Sequence, residues 1–184
     1  MSRLIENPKQ LILTKAKEIL YKEGYNKFSM RSLSKKCDIA LGTIYNYYST
    51  KDELLIEMMT DYWKEHLYIL QDIVNSDDTV YIKLNEMFNK LSIFIKTFKG
   101  IWLKPEFYQK PAYVKKSLIQ ENIYMDKLVI IIEAVLLKGI EKNKTSLKLD
   151  SYETAKFILM NYITMIQMPF FKYSSFEMFL KELI

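Results

Sequence analysis

The chain has one cysteine and one histidine in 184 residues, Cys37 and His66. A lone cysteine excludes an internal disulfide and fits a reducing compartment. One Cys and one His far apart cannot supply a zinc site of ordinary ligand type. Glycine and proline are scarce, at four each, which argues for long helices without breakers. No apolar run approaches the roughly 18–20 residues that span a bilayer. The first apolar run is short and soon interrupted by charge, unlike a signal peptide. The expectation is a soluble, cytoplasmic protein with no membrane partner. Catalytic groupings are missing as well: no His/Asp/Ser set, no glycine loop to cradle a phosphate, no metal cluster, and carboxylates scattered along helix faces. Neither an enzyme nor a bound cofactor or metal is expected.

What the chain does have is positive charge in one place. Residues 1–52 hold ten Lys/Arg and five Asp/Glu, and the remainder holds seventeen of each, so the whole net charge of +5 falls in the first segment. A polyanionic partner for that end is the economical reading, against a plain set of solvated lysines.

Within that segment, Ser29 to Leu55 reads as SMRSLSKKCDIALGTIYNYYSTKDELL. Ser29 is placed to cap a short helix through Lys36 by accepting an orphan N–H of its first turn. Cys37-Asp38-Ile39-Ala40 is a turn, and Leu41–Tyr47 a second short helix. Thr50 and Glu53 have capping-box spacing for a third. Two short helices joined by about four residues form a helix-turn-helix. Leu33, Ile39, Ile44 and Tyr48 are spaced to pin it together, and Cys37 takes a small apolar packing position. Leu41, Gly42, Thr43, Tyr45, Asn46 and Tyr47 are left facing outward, a set that suits a major groove about 12 Å wide. Asn46 is the best-equipped base reader, because an amide can be bidentate to adenine. Lys51 sits in the first turn of the following helix, where its ammonium and the helix amides can meet one phosphate. Ser29 and Arg31 are placed likewise on the preceding helix.

These residues resemble the head of the TetR-type (TetR/AcrR) transcriptional regulators. The resemblance is carried by Ile39, Gly42-Thr43-Ile44-Tyr45, Tyr48, Lys51-Asp52-Glu53 and Leu54-Leu55, over about twenty positions. Asp38 stands where a turn glycine is common, and Leu41 where lysine, proline or glutamine is common. Asp38 is therefore asked to adopt a left-handed conformation, which Asp tolerates better than most residues. The resemblance implies that Tyr45 and Tyr47 donate their hydroxyls to phosphates. Packing is the alternative for both, and the preferred role for Tyr48.

The rest of the chain reads as helices. Asn7-Pro8 opens a first helix, closed by Gly24. A long fourth helix runs from Lys51 to about Asn75 with two adjacent apolar stripes, and His66 lies at their edge, packed or half-exposed. A fifth closes near Gly100, a short sixth covers Trp102–Gln109, and a seventh runs from Pro111 to about Asn143. The centre of the seventh, Leu128–Leu137, is apolar nearly all round and is expected to be buried. An eighth runs from Asp150 or Ser151 to about Met168, and Phe176, Phe179, Leu180 and Leu183 line a ninth. Apolar surface left over on the last pair suggests association.

The expected fold is all-α, with about nine helices: a three-helix helix-turn-helix domain over residues 1–50 and a larger helical ligand-binding and dimerisation domain over 51–184. The resemblance implies a homodimer through the last two helices. It also implies a ligand cavity among helices four to seven, where Tyr62, Trp63, Phe88, Phe94, Phe98, Trp102, Phe107, Tyr108, Tyr124 and Met125 fall. Such walls suit a small lipophilic or aromatic effector, with a plain core as the alternative. The functional expectation is a ligand-responsive repressor on a near-palindromic double-stranded DNA operator. A helical ligand-binding or protein-interaction module whose head no longer reads DNA is the second reading.

Overall fold

The computed structural model describes residues 6–102, 111–141, 147–170 and 172–184. Among these, every regular element is helical: α1 (Pro8–Glu23), a 3-10 turn (Tyr25–Lys27), α2 (Met30–Cys37), α3 (Leu41–Tyr47), α4 (Lys51–Asn75), α5 (Val80–Trp102), α6 (Pro111–Glu141), α7 (Ser151–Gln167) and α8 (Tyr173–Leu183). The expected all-α class is observed, with eight α-helices among the described residues. The short helix expected over Trp102–Gln109 lies outside the described residues apart from Trp102, which ends α5. α5 closes at Trp102, two residues past the Gly100 expected to mark its end, and it buries Leu84, Met87, Leu91, Phe94 and Trp102. No described helix is long and apolar enough to cross a membrane.

The chain divides into two compact units, Met1–Tyr62 with Lys99–Ser117 and Trp63–Phe98 with Leu118–Ile184. α4 supplies residues to both.

In the first unit, local chemistry defines each helix end. The Asn7 side chain accepts from the Gln10 N–H at 3.1 Å with Pro8 following, and Gly24 takes φ +84° after α1. Ser29 and Ser32 form a reciprocal cap at the start of α2. Asp38 adopts the left-handed conformation expected of it, φ 55° and ψ 44°. Its turn is closed by Ile39 N–H donating to the Ser34 carbonyl at 3.2 Å and by the Ser34 hydroxyl donating to the Ile39 carbonyl at 2.7 Å. Thr50 Oγ1 accepts from Glu53 N–H at 3.1 Å, while the Glu53 carboxylate accepts from Ser49 N–H at 2.9 Å. Ile12, Ala16, Ile19, Phe28, Leu33, Ile44 and Tyr48 are buried behind these caps.

In the second unit, α4 ends under two ammonium groups. Buried Lys83 donates to the Val74 carbonyl at 2.9 Å, and Lys138 donates to the Asn75 side chain at 2.8 Å. Cations are favoured there because the last carbonyls of a helix are orphaned and partially negative. Tyr162 is fully buried and donates to the Leu84 carbonyl at 2.7 Å. The centre of α6 corrects an expectation. Leu128, Ile132, Val135 and Leu136 are buried, but Ile130 is 56% and Leu137 43% exposed. Two residues seven apart share one helix face, and that face of α6 is uncovered in the single chain. His66 is packed rather than half-exposed: it is buried, with its ring 4.2 Å from that of Phe94.

Two stability predictions follow from this geometry. Asp38→Gly should leave the urea unfolding midpoint unchanged or raise stability by up to about 1 kcal/mol, because glycine meets no Cβ penalty in the left-handed region. Asp38→Val should lower it by at least a similar amount. For His66, burial lowers the imidazole from its ordinary 6.5 to about 4. The unfolded chain therefore binds the extra proton first as pH falls. Stability attached to His66 is complete above 6.5 and is lost on descent toward 4, with an added slope approaching about 1.4 kcal/mol per pH unit. Unfolding of His66→Phe across that window should lack the added slope.

Candidate nucleic-acid interface

α3 has seven residues and only one of them, Ile44, is fully buried. Gly42, Tyr45, Asn46 and Tyr47 are exposed, and Leu41 and Thr43 are half-buried. The six residues expected to face outward are thus the six that the fold leaves outside its core. Tyr45 is 46% and Tyr47 39% exposed, whereas neighbouring Tyr48 is 1% exposed. Tyr48 takes the packing role expected of it. An added Cβ at Gly42 would meet nothing within 4 Å, so packing does not require glycine there.

Ser29 and Arg31 are exposed at the start of α2. The Ser29 hydroxyl accepts from Ser32 N–H at 3.0 Å, so it caps its own helix as well as facing solvent. Lys51, in the first turn of α4, holds its ammonium 3.7 Å from the centre of the Tyr25 ring and 5.1 Å from that of Phe28. This cation–π contact fixes a long, flexible side chain at the N-terminus of α4. Tyr25 was not singled out from sequence. Twenty-six positions separate it from Lys51, and no local periodicity links the two.

Part of the excess positive charge is spent inside the unit. Lys9 pairs with Glu57 at 2.8 Å and Lys17 with Asp61 at 3.3 Å, tying α1 to α4, and Lys36 pairs with Glu23. Cys37 is 6% exposed, and burial pushes its thiol up to about 11. A thiol held protonated is a poor nucleophile, which agrees with the packing role expected of it.

The aromatic residues expected to line a ligand cavity separate into groups. Trp63, Phe94, Phe98 and Tyr124 come together in the second unit. Trp63 stacks on Tyr124 with ring centres 5.0 Å apart and planes 4° apart, and lies 4.4 Å from Phe94 and 5.4 Å from Phe98. His66, on the same helix as Trp63, joins this cluster through Phe94. Phe88 belongs instead to a cluster with Tyr162 and Tyr173, at 5.3 and 4.9 Å. Met125 is half-buried. Tyr62 and Trp102 fall in the first unit, and Phe107 and Tyr108 lie outside the described residues. No group of three or more metal-ligating side chains occurs among the described residues.

Comparison with known proteins agrees with the head geometry. A family model described as bacterial regulatory proteins, tetR family, matches residues 12–58. An uncharacterized HTH-type transcriptional regulator in the lacX 3′ region of Lactococcus lactis subsp. lactis is 25% identical over 112 residues, 59% of this chain and 50% of that protein. The chain thus aligns with only about half the length of that relative. Among solved structures, a transcriptional regulator from Cytophaga hutchinsonii superposes with a TM-score of 0.75 at 18% identity, over 95% of this chain and 97% of that one. FadR from Bacillus subtilis in complex with stearoyl-CoA gives 0.58 at 18% identity, over 85% and 84%. At such identities the superpositions speak for the fold alone. Residues 12–58 are thus similar to bacterial regulatory proteins of the tetR family, and the chain shares its fold with solved transcriptional regulators.

Proposed function

We propose that the chain is a ligand-responsive transcriptional repressor that binds a near-palindromic DNA operator as a homodimer and leaves it when a small lipophilic or aromatic effector binds. The observation that carries this reading is the outer face of α3. It presents an amide, two phenol hydroxyls and a bare glycine to solvent and gives the fold a single core residue. Asn46 is the base reader, and Tyr45, Tyr47, Lys51, Ser29 and Arg31 are the phosphate contacts. Residues 1–50 form the DNA-binding domain and residues 51–184 the ligand-binding and dimerisation domain.

The dimer is assigned to α7 and α8, where Phe157, Met160, Met178 and Phe179 are exposed. Large apolar side chains gathered on a terminal helix pair fit a two-fold, self-complementary contact. Two heads so joined would reach successive major grooves about 34–36 Å apart. The effector is assigned to the second unit, on the support of its aromatic cluster and of a fold shared with a regulator solved with stearoyl-CoA. α4 runs unbroken from Lys51 to Asn75 and supplies residues to both units. Release requires that the effector bind one position of that helix better than another.

The primary test is a mobility shift on the promoter beside the gene, with native mass spectrometry for subunit number; a monomer that ignores duplex DNA in dilute buffer refutes the reading. Lys51→Ala should weaken binding to every sequence and flatten the salt slope by roughly one unit. Tyr25→Leu should weaken it in the same sequence-independent way, through loss of the ring that holds the ammonium. Asn46→Ala should instead relax preference at one base pair, at a cost of about 1–3 kcal/mol on the best operator only. Gly42→Ala separates fold from function most cleanly. Its methyl group meets open space, so thermal stability should hold or rise by up to about 1 kcal/mol, while operator affinity falls because the backbone can no longer approach the duplex. Unchanged affinity in that variant would remove Gly42 from the interface.

A further inference from the structure

The head holds its cations in two ways. Lys9, Lys15, Lys17 and Lys36 each meet a carboxylate of the same unit. Lys27 and Arg31 are exposed and have no carboxylate partner among the described residues. Both stand at the start of α2, where the helix dipole disfavours positive charge. Lys27 closes the 3-10 turn Tyr25–Lys27. Its carbonyl accepts from the Ser32 hydroxyl at 2.9 Å, a proton shared with the Ser29 carbonyl. The Lys27 backbone is thereby tied to the first turn of α2, beside Ser29 and Arg31. The same turn also reaches α4. The Lys51 ammonium lies 3.7 Å from the Tyr25 ring centre and 5.1 Å from that of Phe28, the two residues that bracket Asn26 and Lys27. Three cations are thus gathered about one three-residue turn. The contacts that hold the turn come from a backbone carbonyl, a hydroxyl and ring faces; none of them uses the Lys27 ammonium. Like charges grouped in this way repel one another unless an anion joins them.

We propose that the turn Tyr25–Lys27 is a further contact strip of the nucleic-acid interface, in which Lys27 binds a backbone phosphate beside those taken by Arg31 and Lys51. The inference deepens the DNA-binding reading above and rests on it. It commits to a strand of phosphates, because positive groups on three separate side chains fit charges repeated along a backbone. Lys27 reads no base: its contact positions the head without carrying sequence information. Lys22 supplies the contrast. It too is exposed and without a carboxylate partner among the described residues, but it sits in the last turn of α1, where orphan carbonyls favour a cation. The charge of Lys22 therefore serves its own helix, and the charge of Lys27 does not.

The test follows the full chain onto a mixed-sequence DNA duplex by fluorescence anisotropy, since a phosphate contact needs no particular operator. Lys27→Gln should flatten the salt slope by about 0.9 unit for each protomer engaged. The affinity advantage of the unmodified chain should then be about 3.5-fold greater at roughly 50 mM salt than at roughly 200 mM, for each such contact. Lys22→Gln removes the same charge and should leave the slope in place. Lys27→Arg should restore it. The thermal midpoint of Lys27→Gln should hold or rise slightly, because a cation leaves the positive end of α2; a lost contact is thereby told apart from a lost fold. An equal loss of slope in Lys22→Gln, or no recovery in Lys27→Arg, would overturn the proposal. If the unmodified chain binds the duplex and Lys27→Gln keeps its slope, Lys27 leaves the interface and the regulator reading stands. If the unmodified chain ignores the duplex even in dilute buffer, both fall.

Discussion

The burial of one face of α4 is the constraint on which the rest depends. Leu54, Leu55, Met58, Met59, Trp63, His66, Leu70, Ile73 and Val74 are all buried along a single helix, and their spacing is that of one face at 3.6 residues per turn. Burying a large apolar side chain contributes about 1.5–3 kcal/mol, an upper figure for a chain whose unfolded state is partly compact. Ion pairs in contact with solvent, of the kind that link α1 to α4, contribute roughly 0–1 kcal/mol after screening. The apolar stripe therefore holds the helix, and Lys9–Glu57 and Lys17–Asp61 settle its register. Because the stripe runs through the division between the two compact units, neither unit can complete its core without α4.

Cations mark both ends of that helix, for different physical reasons. At the start, the helix dipole disfavours a positive charge, yet Lys51 stands there against the Tyr25 ring. The Tyr25 face offsets part of that cost and limits where the ammonium goes. At the finish, Lys83 and Lys138 meet orphan carbonyl groups, the arrangement the dipole favours. Lys83 gives up solvent to do so, which makes the closing turn of α4 a specified feature rather than a frayed end. A cation placed against the dipole is the less economical of the two arrangements. It is understandable under the proposed function, where a phosphate would meet that ammonium.

Most of the fold was legible because its signals are local. Asn7-Pro8, Ser29, Thr50 with Glu53, and Asp150 each mark a helix start through a bond made within three residues. Periodicity then carries the helix onward. Leu128–Leu137 departs from expectation for a different reason: composition cannot tell a core helix from one with an uncovered face, and Ile130 and Leu137 are exposed. The Tyr25–Lys51 contact and the unpaired nitrogen of His66 left no trace in sequence. Both depend on which distant side chains meet, and neither residue type is unusual where it stands.

The head shows a division of labour that composition alone would hide. Ten basic residues lie in residues 1–52, yet Lys9, Lys15, Lys17 and Lys36 are engaged with carboxylates of the same unit. Those pairs position helices. The surface with few internal obligations is the outer face of α3 and the start of α2, where Tyr45, Asn46, Tyr47 and Arg31 are exposed. A seven-residue helix is too short to be stable by propensity, and α3 has glycine in its first turn and no side-chain cap. It persists because Ile44 and the flanking Tyr48 anchor it and because the Asp38 turn and the Thr50–Glu53 cap fix the chain on either side. Holding so weak a helix in place from outside, while leaving its polar face bare, has no advantage for the core. It is what a surface needs if that face must fit a partner of fixed shape.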